Sequence, residues 1–302
     1  MATPPARIQV LSAFLAIYLI WGSTYLAIRF ALETAPPFLM AGARFLLAGA
    51  ILFAWVRPRS PAPAPEHWRS TALIGALLLL GGNGGVCWAE QRVPSGVTAL
   101  LVGAMPLWIT LLSWLKPGGR RPTPRIFGAI LLGLAGVILM VGPEEFAGGQ
   151  RIDPWGTLAL GISTLCWATG SILSGSVRLP SAPLLATAME MLWGGLFLCL
   201  VGVGLGEPWH ASWGAISPRS LLAIAYLVVF GSLIGFTAYV WLLRVASPVK
   251  VATYAYVNPV VAVVLGWALG GEALSLRILL AALLILGAVV GITTARKSAS
   301  AS

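Results

Sequence analysis

The chain reads as an all-α membrane protein, with ten transmembrane helices in two inverted five-helix repeats around a central cavity. Three observations predict this. Of 302 residues, 58% are hydrophobic and only 9% are charged, against roughly 25% charged in soluble domains. Ten apolar runs each approach the roughly 20 residues a bilayer crossing needs. And the first half of the sequence matches the second.

The runs are 9–31, 37–56, 70–89, 95–115, 125–142, 154–175, 183–206, 220–243, 248–269 and 275–295. The first is too long for the apolar core of a signal peptide and lacks an Ala-x-Ala exit, so it reads as a span. The connections are short and leave no room for a soluble domain. The basic residues set the orientation. The N-terminus and the even-numbered connections, including Arg57, Arg59, Arg69, Lys116, Arg120, Arg121 and Arg125, hold thirteen of the nineteen Lys and Arg. The odd connections hold Arg29, Arg92, Arg151, Arg219 and Arg277, together with the acids Glu33, Glu90, Glu144, Glu145, Asp153, Glu207 and Glu272. Both termini are therefore expected in the cytoplasm, with the chain in a plasma membrane.

The net charge of +10 is dispersed between apolar runs, which excludes a nucleic-acid surface. Cys87, Cys166 and Cys199 fall inside apolar runs and His67 and His210 in connections, so neither a disulfide framework nor a metal site is expected. No cofactor is expected. No Walker motif is present, which sets ATP aside as a direct energy source. Nor is there a nucleophile with its base, so an enzyme is not expected.

The internal match fixes the architecture. Trp21-Gly22-Ser23 pairs with Trp167-Ala168-Thr169 at a spacing of 146, and the same spacing takes Pro37 to Pro183, Arg44 to Glu190 and Gly49 to Gly195. At 150, Gly81 and Gly85 meet Gly231 and Gly235, and at 153 Pro106 meets Pro259. Five spans per copy is an odd number, so the second copy enters the membrane from the other side. Inverted repeats of this kind place a substrate site near the midplane between the copies. The repeats are assigned to residues 1–146 and 147–302.

Pro106 and Pro259 remove backbone hydrogen bonds within spans four and nine. The glycine runs containing Gly82, Gly84, Gly231 and Gly235 weaken spans three and eight. These are the expected helix breaks, and freed backbone groups at membrane depth are tolerated only inside protein or beside a water-filled cavity. Tight helix packing by small residues is the structural alternative. The candidate lining near the breaks is Asn83, Trp108, Tyr239, Tyr254, Tyr256 and Asn258, joined by Trp21, Ser23, Thr24, Trp167 and Thr169 from the repeated motif. Trp55 and Trp114, at span ends, read as interfacial anchors. Arg44 and Glu190 are intramembrane charges at equivalent positions. Such charges are costly and face the bundle interior. Inversion sets the two at different depths, so a direct pair between them is not expected. Spans five and ten carry Gly128, Gly133, Gly136, Gly287 and Gly291 and read as packing or dimer struts, which leaves a monomer and a homodimer both open.

The sequence resembles the EamA-type ten-helix members of the drug/metabolite transporter superfamily. The resemblance is carried by Trp21-Gly22-Ser23, by Ala89 to Leu107 ending in Met105-Pro106-Leu107, by Arg244 to Pro259, by Leu269-Gly270-Gly271-Glu272 and by Arg277 to Gly291. The family's Gly-Glu pair after span four is replaced here by Leu115-Lys116-Pro117. The resemblance implies a secondary transporter that exports small metabolites by alternating access, amino acids including aromatic ones, or drug-like compounds. Its partners would be a small-molecule substrate and the lipid bilayer. A facilitative channel-like pore and a non-transporting scaffold subunit are the alternatives. A pore would want charged rings or a filter, and none is evident.

Overall fold

A computed structural model of the chain describes residues 6–93, 98, 101–116, 118–119, 121–141, 153–211, 213–270 and 276–294. The start of the fourth apolar run, the loop with Glu144, Glu145 and Arg151, and Gly271-Glu272 lie outside the described residues.

The described residues are helical and contain no strand. The helices are α1 (Arg7–Leu32), α2 (Pro37–Val56), α3 (Pro65–Ala89), α4 (Met105–Leu115), α5 (Pro124–Val141), α6 (Pro154–Leu173), α7 (Pro183–Gly204), α8 (Pro218–Val245), α9 (Tyr254–Gly270) and α10 (Leu276–Thr294). Proline occupies the first turn of α2, α3, α4, α6, α7 and α8, where its missing N–H costs nothing and its fixed φ suits the helix. Helices α1, α2, α3, α6, α7 and α8 are long and apolar enough to cross a bilayer. Leu15, Leu19, Ile51, Trp55, Leu158 and Leu200 are exposed on their outer faces, as is Leu283 of α10, as lipid contact requires.

The packing has the order of an inverted repeat. Helix α2 packs on α7 and α5 on α10, each with its own counterpart. Helix α1 packs on α8 and α9, and its counterpart α6 packs on α3 and α4. The α2–α7 crossing is backbone to backbone. A methyl group at Gly195 would lie 2.7 Å from the Leu46 amide nitrogen and 2.9 Å from the Gly42 carbonyl, and one at Gly42 would lie 2.9 Å from the Gly195 carbonyl. Glycine is needed there because backbone cannot yield. In the second self-pair, Gly136 of α5 accepts the Ala281 carbonyl and Ile285 of α10 at similarly close range, and Gly291 accepts Ala129. These glycines hold the two repeats together within the chain.

Polar pairs at the two ends of the bundle join segments expected on the same side. At one end Arg92 approaches Asp153 (3.9 Å) and Arg219 approaches Glu33 (3.3 Å). At the end carrying the chain termini, Arg178 meets Glu66 (3.1 Å) and Arg125 donates to Thr294 (3.2 Å). Glu207 contributes a bond not foreseen. Gly206, at φ +80, turns the chain after α7. Glu207 then accepts the Phe38 and Leu39 amides (3.1 and 2.8 Å). Helix α2 begins after Pro36, which has no capping side chain, so a carboxylate from the other repeat supplies the cap and favours the positive end of the helix dipole.

The expected breaks are only partly realised. Helix α4 starts afresh at Met105, after a turn at Ala104, as Pro106 requires. By contrast, Pro259 sits inside α9, which runs through it. The turn comes earlier, at Ala252 and Thr253, between the short helix Pro248–Val251 and Tyr254. Gly82, Gly84, Gly231 and Gly235 do not break α3 and α8. Both helices continue as π-helix, over Ala76–Gly84 and Leu227–Phe236. The wider turn keeps the backbone bonded while glycine opens the surface, and such turns gather at functional sites.

Substituting Gly195→Ala is expected to destabilise the fold by about 1–3 kcal/mol, because the methyl group meets backbone on both sides. Gly161→Ala, in α6 with no described residue close to the added methyl group, is expected to gain about 0.5–1 kcal/mol. Thermal unfolding of the purified protein in detergent checks both signs.

Candidate functional site

A cavity opens at the centre of the bundle between α1, α2, α3, α4, α6, α8 and α9. Its free space of about 90 Å³ holds roughly half a dozen waters or a small solute. Its lining residues Ile28, Arg44, Asn83 and Val86 come from the halves of their helices that point away from the termini. Arg44 lies seven residues into α2, about 10 Å from its start at 1.5 Å per residue.

Four aromatic rings close the cavity toward the terminal end. Trp21 packs edge-on against Trp167 (ring centroids 5.6 Å) and Tyr254 (4.9 Å), and tilts against Tyr239 (5.1 Å). Hydrogen bonds lock the group. The Trp167 indole N–H donates to the Tyr239 hydroxyl at 2.7 Å, that hydroxyl also pairs with the Ser171 hydroxyl, and the Trp21 indole N–H donates to the Gly231 carbonyl at 3.1 Å. The π-helical glycines seat the two indoles. A methyl group at Gly82 would lie 2.5 Å from the Trp167 ring, and one at Gly235 would lie 2.5 Å from Trp21 Nε1. Each tryptophan therefore rests on the widened helix of the other repeat.

Arg44 gives the cavity its charge. It is 4% exposed. One terminal nitrogen, Nη2, donates to Asn83 Oδ1 at 3.2 Å, and the guanidinium carbon lies 4.3 Å from the centroid of the Phe45 ring. Its Nε and Nη1 have no hydrogen-bond partner among the described residues. Unpaired donors on a buried cation cost several kcal/mol, so a site that keeps them favours an anion that accepts them. Just beyond α3, Glu90 follows Asn83 and Val86 on one helix face. Burial pushes its carboxyl up to about 7, opposed by the positive charge of Arg44. Asn258 is also buried on the wall, its amide oriented to donate to the Tyr254 and Tyr18 carbonyls at 3.0 and 3.3 Å.

The structure therefore brings Trp21, Thr24, Arg44, Asn83, Trp167, Tyr254 and Asn258 to one cavity, with Gly82 and Gly231 in its wall. Tyr239 lies directly beneath, as part of the floor. Other candidates lie elsewhere. Tyr256 points away into the α5–α10 side and donates to the Ile130 carbonyl at 3.1 Å; its alternation with Tyr254 suits a strand better than a helix, where neighbours two apart do not share a face. Ser23 binds the Ile20 carbonyl and the Tyr226 hydroxyl, Thr169 returns its hydroxyl to Leu165 in its own helix, and Trp108 packs against the main core. Glu190 is fully buried in α7 outside the cavity lining. Ser163, Thr164, Phe236 and Met105 line the wall unforeseen. Ser163 and Thr164 stand one turn from Trp167, so the i−3, i−4 rule applied to that tryptophan would have found them.

A helical bundle with an apolar belt, matched halves and a polar, aromatic cavity at its centre defines a multi-pass membrane protein of the transporter kind. The chain belongs to the EamA-like transporter family, whose model matches residues 8–142 and again 154–294. It is 41% identical over 288 residues to the uncharacterized inner membrane transporter YedA of Escherichia coli (strain K12), covering 95% of this chain and 91% of that one. A WAT1-related chloroplastic protein of Arabidopsis thaliana is 26% identical, covering 83% of this chain and 61% of the relative. The uncharacterized transporter YoaV of Bacillus subtilis (strain 168) is also 26% identical, with coverages of 92% and 94%. The fold matches a solved protein crystal structure with a TM-score of 0.75 at 23% identity, over 96% of this chain and 98% of that one.

If Arg44 serves a ligand rather than the fold, Arg44→Met leaves the melting temperature unchanged or raised, because it removes an incompletely paired buried charge. A structural Arg44 would cost about 3–5 kcal/mol on the same substitution. Thermal unfolding with no substrate present separates the two.

Proposed function

We propose that this chain is a secondary transporter that exports amino acids, aromatic ones included, and related compounds by alternating access through the central cavity. In this reading both termini face the cytoplasm of a bacterial inner membrane, and the repeats 1–146 and 147–302 rock against each other. One observation carries the substrate class. Arg44, whose Nε and Nη1 have no partner among the described residues, and the rings of Trp21, Trp167 and Tyr254 line the same cavity. A carboxylate takes the first and an apolar or aromatic side chain the second.

The family and its relatives support transport in general; the amino-acid assignment rests on the cavity's chemistry. The aromatic floor supports alternating access over a channel-like pore, since a pore needs a continuous path and the four rings interrupt it.

Counterflow in liposomes tests the proposal. Vesicles containing the full chain and loaded with unlabelled phenylalanine are expected to accumulate labelled phenylalanine. Phenethylamine, which lacks the carboxylate, is expected to compete poorly, and Arg44→Met to remove that preference. Strong competition by phenethylamine and weak competition by other amino acids would sink the carboxylate reading.

A further inference from the structure

The inverted repeat allows the other half of the transport cycle to be read from the half described. When two inverted repeats exchange conformations, each residue takes the environment its counterpart has now. The centre of the cavity maps onto itself under this exchange: Trp21 becomes Trp167 at a spacing of 146, and Met105 becomes Asn258 at 153. The cavity's charged wall maps elsewhere. Arg44 becomes Glu190 and Ile28 becomes Ser174, both at 146. A cavity open to the terminal face would thus carry a carboxyl group where the present one carries a guanidinium.

Glu190 has the surroundings of a group waiting for such an opening. It is 0% exposed, and neither carboxylate oxygen has a hydrogen-bond partner among the described residues. The charged and titratable residues of the first segment of α3, Glu66, His67 and Arg69, lie six to nine residues before Gly75, toward the terminal end. Helix α3 presents Gly75, packed against the Glu190 backbone carbonyl. Helix α2 presents Gly49 against the neighbouring turn of α7, and its one charged residue, Arg44, is bonded to Asn83. Helix α8 supplies the two titratable groups within electrostatic reach, Tyr239 and Arg244. Tyr239 belongs to the cavity floor, bonded to Trp167 and Ser171. Arg244 lies near the terminal end of α8 and reaches the Pro180 carbonyl at 3.5 Å. Glu190 therefore sits between the floor of the cavity and the terminal face. A carboxylate with two unsatisfied oxygens is too costly to bury as an anion, and a proton removes that cost.

We propose that Glu190 is the proton-binding site of the transport cycle, sealed behind the aromatic floor in this conformation and opened to the terminal face when the repeats exchange. The proton is released to water on that side, and the resulting carboxylate is stabilised by Arg244 and by the incoming water. No bond other than O–H is made or broken. Proton coupling of phenylalanine flux rests on the transport reading above; proton binding by Glu190 does not.

Two measurements on the full chain in liposomes decide the matter. Infrared difference spectra across a pH step are expected to contain a protonated-carboxyl band that vanishes in Glu190→Gln, is kept in Glu190→Asp and survives Glu90→Gln. A band unchanged in Glu190→Gln overturns the assignment, whatever the substrate. In the second measurement, Glu190→Gln is expected to keep phenylalanine counterflow and lose the response of net flux to a pH gradient. Gradient-driven flux equal to wild type overturns the coupling role. Wild-type protein with no phenylalanine counterflow contradicts the substrate reading instead, and the infrared arm still decides Glu190.

Discussion

The close approach of α2 and α7 is the contact on which the molecule depends. Gly42, Gly49 and Gly195 remove side chains where the two helices cross, and the two are each other's counterparts in the repeat. A self-paired contact of this kind, like that of α5 with α10, marks where the pseudo-two-fold axis passes. Arg44 and Glu190 ride on these same helices, one facing the cavity and one sealed away from it. The two intramembrane charges are thus built into the helix pair at that contact.

Around that pair the chain exchanges parts between its halves. Glu207 caps α2, Gly82 seats Trp167 and Gly235 seats Trp21. Each contact crosses from one repeat to the other. The first half alone would leave α2 uncapped, either half alone would leave an indole unseated, and the cavity is lined from both halves. The π-helical stretches reconcile two demands, since glycine must open the helix surface while bilayer depth forbids unbonded backbone.

Much of this was legible in the sequence, and the reasons differ by residue. Helix placement followed from apolar runs, because bilayer thickness leaves little freedom in length. The repeat showed itself through residues that backbone contact restricts, such as Gly49 and Gly195. Trp21, Trp167, Tyr254, Asn83 and Asn258 could be placed near the centre because aromatic and amide groups in the middle of spans have few other uses. What stayed hidden was azimuth. Tyr256 differs from Tyr254 only in the direction it points, and the flat polarity of α9 gives no apolar stripe to tell the two apart. The glycine runs looked like breaks because composition reports weakness in a helix, not the wider bonded turn that α3 and α8 adopt. The capping role of Glu207 escaped notice because an acceptor 168 positions away leaves no local signature.

The central claim is that the two halves exchange environments about the α2–α7 pair. Cysteines placed singly at Ile28 and at its counterpart Ser174, in a chain whose three native cysteines are replaced, test it with a thiol reagent that cannot cross the membrane. In sealed vesicles the account predicts labelling from opposite faces and in opposition: a condition that exposes position 28 protects position 174, and the reverse. Labelling of both positions together, or of both from the same face, would contradict it.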